Sequence, residues 1–336
     1  MKLLERLLVI GLGSMGNRRL RLLKKLRPEL CLCGVDISAE RRAQAEAGFG
    51  IRTYAEIAQA LQTEKPEAAV ISTSPLTHAS IIRECLRAGI HVFTELNLVA
   101  DGYLENMQLA QEKKLVLFLS STFLYRKENQ YFIQRAHECD VPLNYRYHVG
   151  QYLPDWHPWE NYKEYFVGNI RTNGCRELLA VELPWLCTAF GPIVDAQVLR
   201  QKCSHLQILY DDSYMLLLRH KSGCLGSLCI DVVSRKAVRQ FELYGETMYL
   251  TWGGQPDTLI EWDIAGKREH TIQLYQQAAH QEGYAGFIIE NAYEEELAAF
   301  FSQVEQNVSA AYGFAEDLET LQWIDRIEHM GADSPC

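Results

Sequence analysis

Three things are missing from this sequence. None of its ten cysteines belongs to a C-x-x-C pair, and Cys31 and Cys33 stand one residue apart in a predicted strand. Structural metal sites pair thiols at short fixed spacings, and secreted disulfide scaffolds are small. Scattered thiols in a chain of 336 residues therefore read as reduced and cytoplasmic, with no metal centre. No apolar run approaches the ~20 residues of a membrane helix. The apolar segment Leu7–Ile10 runs straight into a glycine turn, so it is neither signal peptide nor anchor. Long basic runs are absent too, and the net charge is −10. Binding a phosphate backbone needs clustered Lys and Arg, which excludes nucleic acid as an expected partner. Arg18, Arg19, Arg21, Lys24, Lys25 and Arg27 share one predicted helix and read as a solvated face, as does the acidic run Glu294, Glu295, Glu296.

What is present is ordinary globular material, 48% hydrophobic and 23% charged, and long enough for two domains. The first 120 or so residues alternate short apolar runs with helical patterns, as βαβ units do. Strands are expected at Leu7–Ile10, Cys31–Asp36, Ala68–Ser72, Ile90–Thr94 and Leu115–Leu119. Each is continuously apolar, as strands covered on both faces are. Pro28 ends the first helix; Thr53 and Glu56 offer a capping box; Ser74 and Pro75 start another helix that Gly89 ends; Asp101 can cap the next.

Past about Phe123 the rhythm changes. Alternating strands are expected at Asn144–Tyr152, Ser213–His220, Leu225–Val233, Val238–Tyr244, Met248–Trp252, Leu259–Asp263 and Glu269–Leu274, with helices near 177–190, 284–306 and 314–329. Leu228, Ile230 and Val232 fall on one face of their strand, and Ser227, Cys229 and Asp231 on the other. The expected fold is α/β. A Rossmann parallel sheet spans 1–122, and an α+β domain with a large, open, mostly antiparallel sheet spans 123–336. The last helix is expected to pack back on the Rossmann domain.

The sharpest motif is Gly11, Leu12, Gly13, Ser14, Met15, Gly16. It follows a strand and opens a helix, and Asp36 stands about 20 residues beyond its last glycine, which completes the dinucleotide fingerprint. Gly11 permits the tight turn, Gly13 leaves the pyrophosphate room, and Gly16 lets helix and strand pack closely. The helix N-terminus faces the anion with N–H groups and a positive dipole end. Asp36 can accept from the adenosine ribose hydroxyls and would repel a 2′-phosphate, which favours NAD; nearby Arg41 and Arg42 keep NADP open. Thr73, Ser74 and His78 follow the third expected strand, where ligands of open α/β sheets bind. A plain helix cap explains Ser74 equally well.

These residues resemble a known family. The glycine loop, the Thr73-Ser74-Pro75-x-x-His78 segment and the stretch from His91 to Glu95 are similar to the glucose–fructose oxidoreductase/inositol dehydrogenase (Gfo/Idh/MocA) family. The resemblance implies oxidation or reduction of a sugar, cyclitol or sugar-nucleotide carbon with NAD(P), and a homodimer or homotetramer built on the open sheet. It also implies that Glu95 lies beside the nicotinamide ribose or substrate cleft, with Asn97 in the same segment. Two departures stand out. Members usually read Glu-Lys-Pro with a catalytic lysine, whereas this chain reads Glu95, Leu96, Asn97. Many also carry Asp-x-Gly-x-His, and the matching stretch from Gly174 to Trp185 puts Glu182 at the histidine position.

Moving a hydroxyl proton needs a substitute acid or base. The aromatic, charged stretch from Tyr152 to Tyr165 offers His157 and Lys163, and Glu182 is a further candidate. Glu177 lies off the Glu182 face of its helix. His148 reads as a satisfied structural histidine beside Arg146; Tyr125 and Arg126 either reach the cleft, or Arg126 simply pairs with an acid such as Glu128. Three functions fit: hydride transfer at a sugar or sugar-nucleotide carbon, in surface-sugar biosynthesis among other settings; a non-catalytic NAD-binding regulator; and NAD-assisted elimination or glycoside cleavage.

Overall fold

The computed structural model describes residues 3–158, 160–279 and 288–330. The chain divides into two compact units, one of residues 1–121 with 293–318, the other of residues 122–292 with 319–336.

The first unit holds six parallel strands: β1 (Arg6–Ile10), β2 (Cys31–Val35), β3 (Arg52–Tyr54), β4 (Ala68–Ile71), β5 (His91–Thr94) and β6 (Leu117–Leu119). Their order is β3-β2-β1-β4-β5-β6. The connecting helices are α1 (Ser14–Leu26), α2 (Ala39–Phe49), α3 (Ile57–Glu64), α4 (Pro75–Arg87) and α5 (Tyr103–Lys113). Leu7, Leu8, Val9 and the whole of β4 are buried, so the continuous apolar runs do mark strands covered on both faces. Phe93 stacks on Phe118 with ring centres 5.2 Å apart, and Phe300 meets both edge-on.

Two local expectations fail here. Thr53 lies within β3 and its hydroxyl donates to Glu46, so there is no capping box; α3 begins at Glu56 with no side-chain cap. The three-residue strand is too short to show a period. Gly102, at φ +68°, takes the cap position of α5 in place of Asp101.

The second unit is built on eight strands: β7 (Asn144–Gly150), β8 (Ile193–Gln201), β9 (Ser213–His220), β10 (Leu225–Asp231), β11 (Val238–Gly245), β12 (Met248–Trp252), β13 (Leu259–Asp263) and β14 (Arg268–Thr271). The order is β14-β13-β12-β11-β7-β10-β9-β8, and every pairing except β7 with β10 is antiparallel. Strand β8 has no counterpart among the sequence expectations. Helices α6 (Lys127–His137) and α7 (Gly174–Phe190) supply Phe132 and Trp185 to a cluster with Tyr147 and Phe241, whose ring centres lie 4.7–5.7 Å apart where Phe241 or Tyr147 meets a neighbour. Leu228, Ile230 and Val232 are buried together, as the period-2 pattern requires. Helices α8 (Glu290–Gln306) and α9 (Phe314–His329) are each divided between the units. The expected helix start at 284–287 lies outside the described residues.

Candidate functional site

In the first unit, the carboxyl ends of β1, β2, β4 and β5 gather the polar groups the sequence singled out. Gly11 sits at φ +90°, and its N–H donates to the Val35 carbonyl over 2.8 Å. A Cβ there would stand 2.5 Å from the Ser72 carbonyl oxygen, and one on Gly16 would stand 1.8 Å from the Gly11 oxygen. Both glycines are therefore demanded by the fold itself. Gly13 is different: a Cβ there would meet only the Arg41 guanidinium, at 3.7 Å. Packing does not require that glycine, and its lack of a side chain leaves the loop backbone open to close approach. Gly13 is also the N-cap of α1, and no side chain caps it. Ser14 and Met15 form the first turn there, and the Met15 sulfur accepts from Arg18 over 3.1 Å.

Asp36 closes β2 against this loop. Its Oδ2 accepts from the Leu12 N–H and its Oδ1 from the Ser38 N–H, both at 2.8 Å. Each oxygen keeps acceptor capacity beyond that single bond. Arg41, half exposed, reaches within 3.8 Å of Oδ2, while Arg42 donates to the Asp36 and Ile37 carbonyls. A glycine with open space, an uncapped helix start and an acid beside them suit a dinucleotide's diphosphate and ribose.

On the other side of β1, Thr73 and Ser74 follow β4. The Thr73 methyl touches the Gly11 position, and Ser74 is the N-cap of α4 without making a side-chain cap bond. His78 is buried, with Nδ1 2.6 Å from the Asn97 carboxamide and Nε2 3.0 Å from the Thr73 carbonyl. Burial lowers the ring's pKa, against the hydrogen bonds to Asn97 and Thr73. His78 and Asn97, both buried, thus lock two strand-end loops to each other.

Glu95 ends β5 and accepts two bonds from Arg19, at 2.6 and 2.9 Å. Arg19 also donates to Glu296 at 2.8 Å and to the Ser120 hydroxyl at 3.3 Å, and Glu296 accepts from the Ser121 N–H at 2.6 Å. Burial opposes the Arg19 charge, but Glu95 and Glu296 outweigh it and hold its pKa above the ordinary value. Burial, aided by Glu95, raises Glu296 against the pull of Arg19. This network corrects two expectations. Arg18 and Arg19 are not on a solvated face, and Glu296 is fully buried. Opposite charges nearly three hundred residues apart in sequence neutralise one another, which no local pattern reveals.

In the second unit, the three proposed proton carriers lie in unlike surroundings. Lys163 is exposed and donates to Gln207. His157 stacks on Tyr165 with ring centres 4.9 Å apart and pairs with Glu160 at 3.1 Å. Trp159, in the same loop, lies outside the described residues. Glu182 is fully buried: Oε1 takes two donors from Arg239, at 2.8 and 3.0 Å, and Oε2 takes the Tyr147 hydroxyl and the Trp185 indole, each at 2.7 Å. All four acceptor positions are filled. The structure thus gives Glu182 an ion pair with Arg239 and no acceptor position left for a substrate proton. Of the two readings of Arg126, the structure shows the pairing: Arg126 meets Glu128, buried, at 3.1 Å.

Sequence reasoning set Glu177 aside. Its Oε2 is buried with no hydrogen-bond partner among the described residues, and burial pushes the carboxyl up to about 8. The Tyr165 hydroxyl is likewise buried and unpartnered among them, and burial, then the Glu177 charge, raises it. One available signal was an acid in the first turn of a mostly apolar helix.

A six-stranded parallel sheet in this order, with a glycine turn after its first strand and an acid closing its second, defines a dinucleotide-binding Rossmann unit. Residues 6–121 match the model of the Gfo/Idh/MocA oxidoreductase family, NAD-binding Rossmann fold. A curated relative, 4-carboxy-2-hydroxymuconate-6-semialdehyde dehydrogenase from Sphingobium sp. (strain NBRC 103272 / SYK-6), is 27% identical over 130 residues. That match covers 38% of this chain and 41% of the relative. Among solved structures, UDP-N-acetylglucosamine 3-dehydrogenase GnnA from Acidithiobacillus ferrooxidans is 18% identical, with 96% of each chain covered and a TM-score of 0.76. The WlbA dehydrogenase from Chromobacterium violaceum, in complex with NADH and UDP-GlcNAcA, is 16% identical, with 99% of this chain and 95% of that one covered and a TM-score of 0.76. At these identities the likeness establishes the fold over nearly the whole chain.

Proposed function

We propose that the protein is an NAD(P)-dependent oxidoreductase acting on a CH–OH carbon of a sugar or sugar nucleotide in the cytoplasm. The observation that carries the reading is Gly13, a glycine that packing leaves free, at an uncapped helix start beside Asp36. Gly11, Gly13, Ser14, Met15 and Gly16 would hold the diphosphate. Asp36 would take the adenosine ribose, and its negative charge favours NAD over NADP. Thr73, Ser74 and Glu95 would line the nicotinamide end, with His78 and Asn97 fixing the loops beneath them. Bound NAD(P) supplies the hydride donor or acceptor. The chain must then move one proton at the substrate oxygen. Leu96 has replaced the family lysine, and His157, Lys163 and Glu177 are the groups we assign to that task. Of these, Glu177 alone combines burial with a carboxyl that titrates near neutral pH. The exposed apolar side chains Val194, Leu199, Met215 and Leu217 on β8 and β9 support assembly as a homodimer or homotetramer.

The test is direct. Purified protein is mixed with NAD or NADP and a panel of sugars and nucleotide sugars, and NADH or NADPH absorbance is followed. Steady growth with one substrate is expected. Tight NAD binding without turnover on any member would support the regulatory reading, which the loss of the lysine at Leu96 favours. A changed sugar without net reduced coenzyme would support elimination or glycoside cleavage.

A further inference from the structure

Among the described residues, one group of three metal-competent side chains converges: His148, Cys229 and Asp231, whose ligating atoms all lie within 4.8 Å of one another. All three belong to the neighbouring parallel strands β7 and β10. The register sets His148 directly beside Cys229 and Gly150 beside Asp231. Period-2 alternation puts 148, 150, 229 and 231 on one sheet face.

The absence of a side chain at Gly150 matters to the cluster. A Cβ there would stand 2.4 Å from the Asp231 Oδ2, so glycine leaves the space this carboxylate fills. Asp231 is then fixed by the Val233 N–H at 3.0 Å, the Ser234 N–H at 2.7 Å and the Ser234 hydroxyl at 3.0 Å. It points at His148, with Nε2 2.7 Å from Oδ2. The His148 ring remains 39% exposed, and Cys229 is a free, half-buried thiol.

We propose that His148, Cys229 and Asp231 form a binding site for a divalent ion of the zinc class. A thiolate with an imidazole selects zinc-like ions over magnesium or calcium, which take oxygen ligands. Zinc bonds of ~2.0–2.3 Å place tetrahedral ligand atoms roughly 3–4 Å apart. The two strands already hold the set near that spacing, and side-chain rotation alone separates His148 from Asp231 by the remaining ångström or so. As the metal bonds form, the Cys229 thiol and the His148 Nε2, which otherwise donates to Asp231, each release a proton to the buffer. Three protein ligands leave the fourth position open toward the exposed side of the sheet.

The experiment uses the full chain, reduced and stripped with a chelator, titrated with zinc chloride by calorimetry and separately with cobalt chloride by absorbance. We expect one tight equivalent of zinc and a near-ultraviolet thiolate-to-cobalt band. Cys229→Ser should abolish the band, and His148→Gln should weaken zinc uptake more than about tenfold. Circular dichroism of both variants checks that the fold is kept. Failure of the wild-type protein to take up zinc overturns the site. So does uptake, or a cobalt band, that Cys229→Ser leaves unchanged, because the metal would then sit on other thiols.

Discussion

Exchanging Glu177 for Gln removes an ionisable group from a place that disfavours charge, and the consequence can be worked out in advance. Burial raises this carboxyl from 4.5 to about 8. In the unfolded chain it ionises near its ordinary value, so between those limits the folded state binds one proton more. Stability must then fall as pH rises. The contribution is fully present below about pH 4.5 and is lost as pH passes through about 8. Each unit corresponds to ~1.4 kcal/mol, so the folded wild type is disfavoured by about 3 kcal/mol at pH 7 and about 5 kcal/mol above pH 8, relative to a neutral isostere. Glu177→Gln should match the wild type near pH 4.5, gain on it steadily with rising pH, and level off past pH 8. Urea unfolding of both proteins at pH 4.5, 7 and 9 reads this out. Asp317 is also raised, to about 6, chiefly by burial, but it is common to both proteins and cancels in the difference. Parallel stability–pH curves would refute the reasoning. A stabilised variant that has also lost turnover would mark Glu177 as a group kept for function at a cost in stability.

Four further outcomes follow from the geometry. Asp36→Ala should weaken NAD binding several-fold by titration calorimetry and narrow the NAD/NADP preference; an unaltered preference would remove Asp36 from the ribose. Gly13→Val should leave the melting temperature nearly unchanged while sharply weakening coenzyme binding, since the space beside this residue is needed by the ligand and not by packing. Arg19→Met strands the buried Glu296 and the partly buried Glu95 and should destabilise by about 3–5 kcal/mol in urea unfolding. Lys163→Ala, at an exposed position, should lower kcat far more than it weakens NAD binding if Lys163 carries the proton, and wild-type rates would take it off the list.

The Rossmann sheet was legible because each of its long strands is an unbroken apolar run, and because the glycine motif must sit between a strand and a helix. Strand β3 was not, being three residues long, so Thr53 read as a cap. The open sheet was legible from alternation at Leu228, Ile230 and Val232, whereas β8, whose register shifts between Ile193 and Asp195, escaped. The coenzyme loop could be read locally because all its parts lie within about thirty residues. Glu182 could not: its partners Tyr147 and Arg239 come from strands distant in sequence, and an acid aligned to a catalytic position looks the same whether it is free or neutralised. Glu177 was set aside for the converse reason, since the burial of its Oε2 is a property of everything around it.

The salt link between Arg19 and Glu296 has a consequence for how the molecule is made. A ribosome delivers Arg19 and Glu95 early, but their remaining partner Glu296 emerges only after a further 201 residues. Until then the nascent coenzyme module carries an arginine lacking one of its two carboxylates and a sheet whose Phe93 and Phe118 await Phe300. Release of a chain cut near residue 122 should therefore yield a sticky, incompletely closed fragment, and maturation of the nucleotide pocket should await the emergence of Glu296 and Phe300.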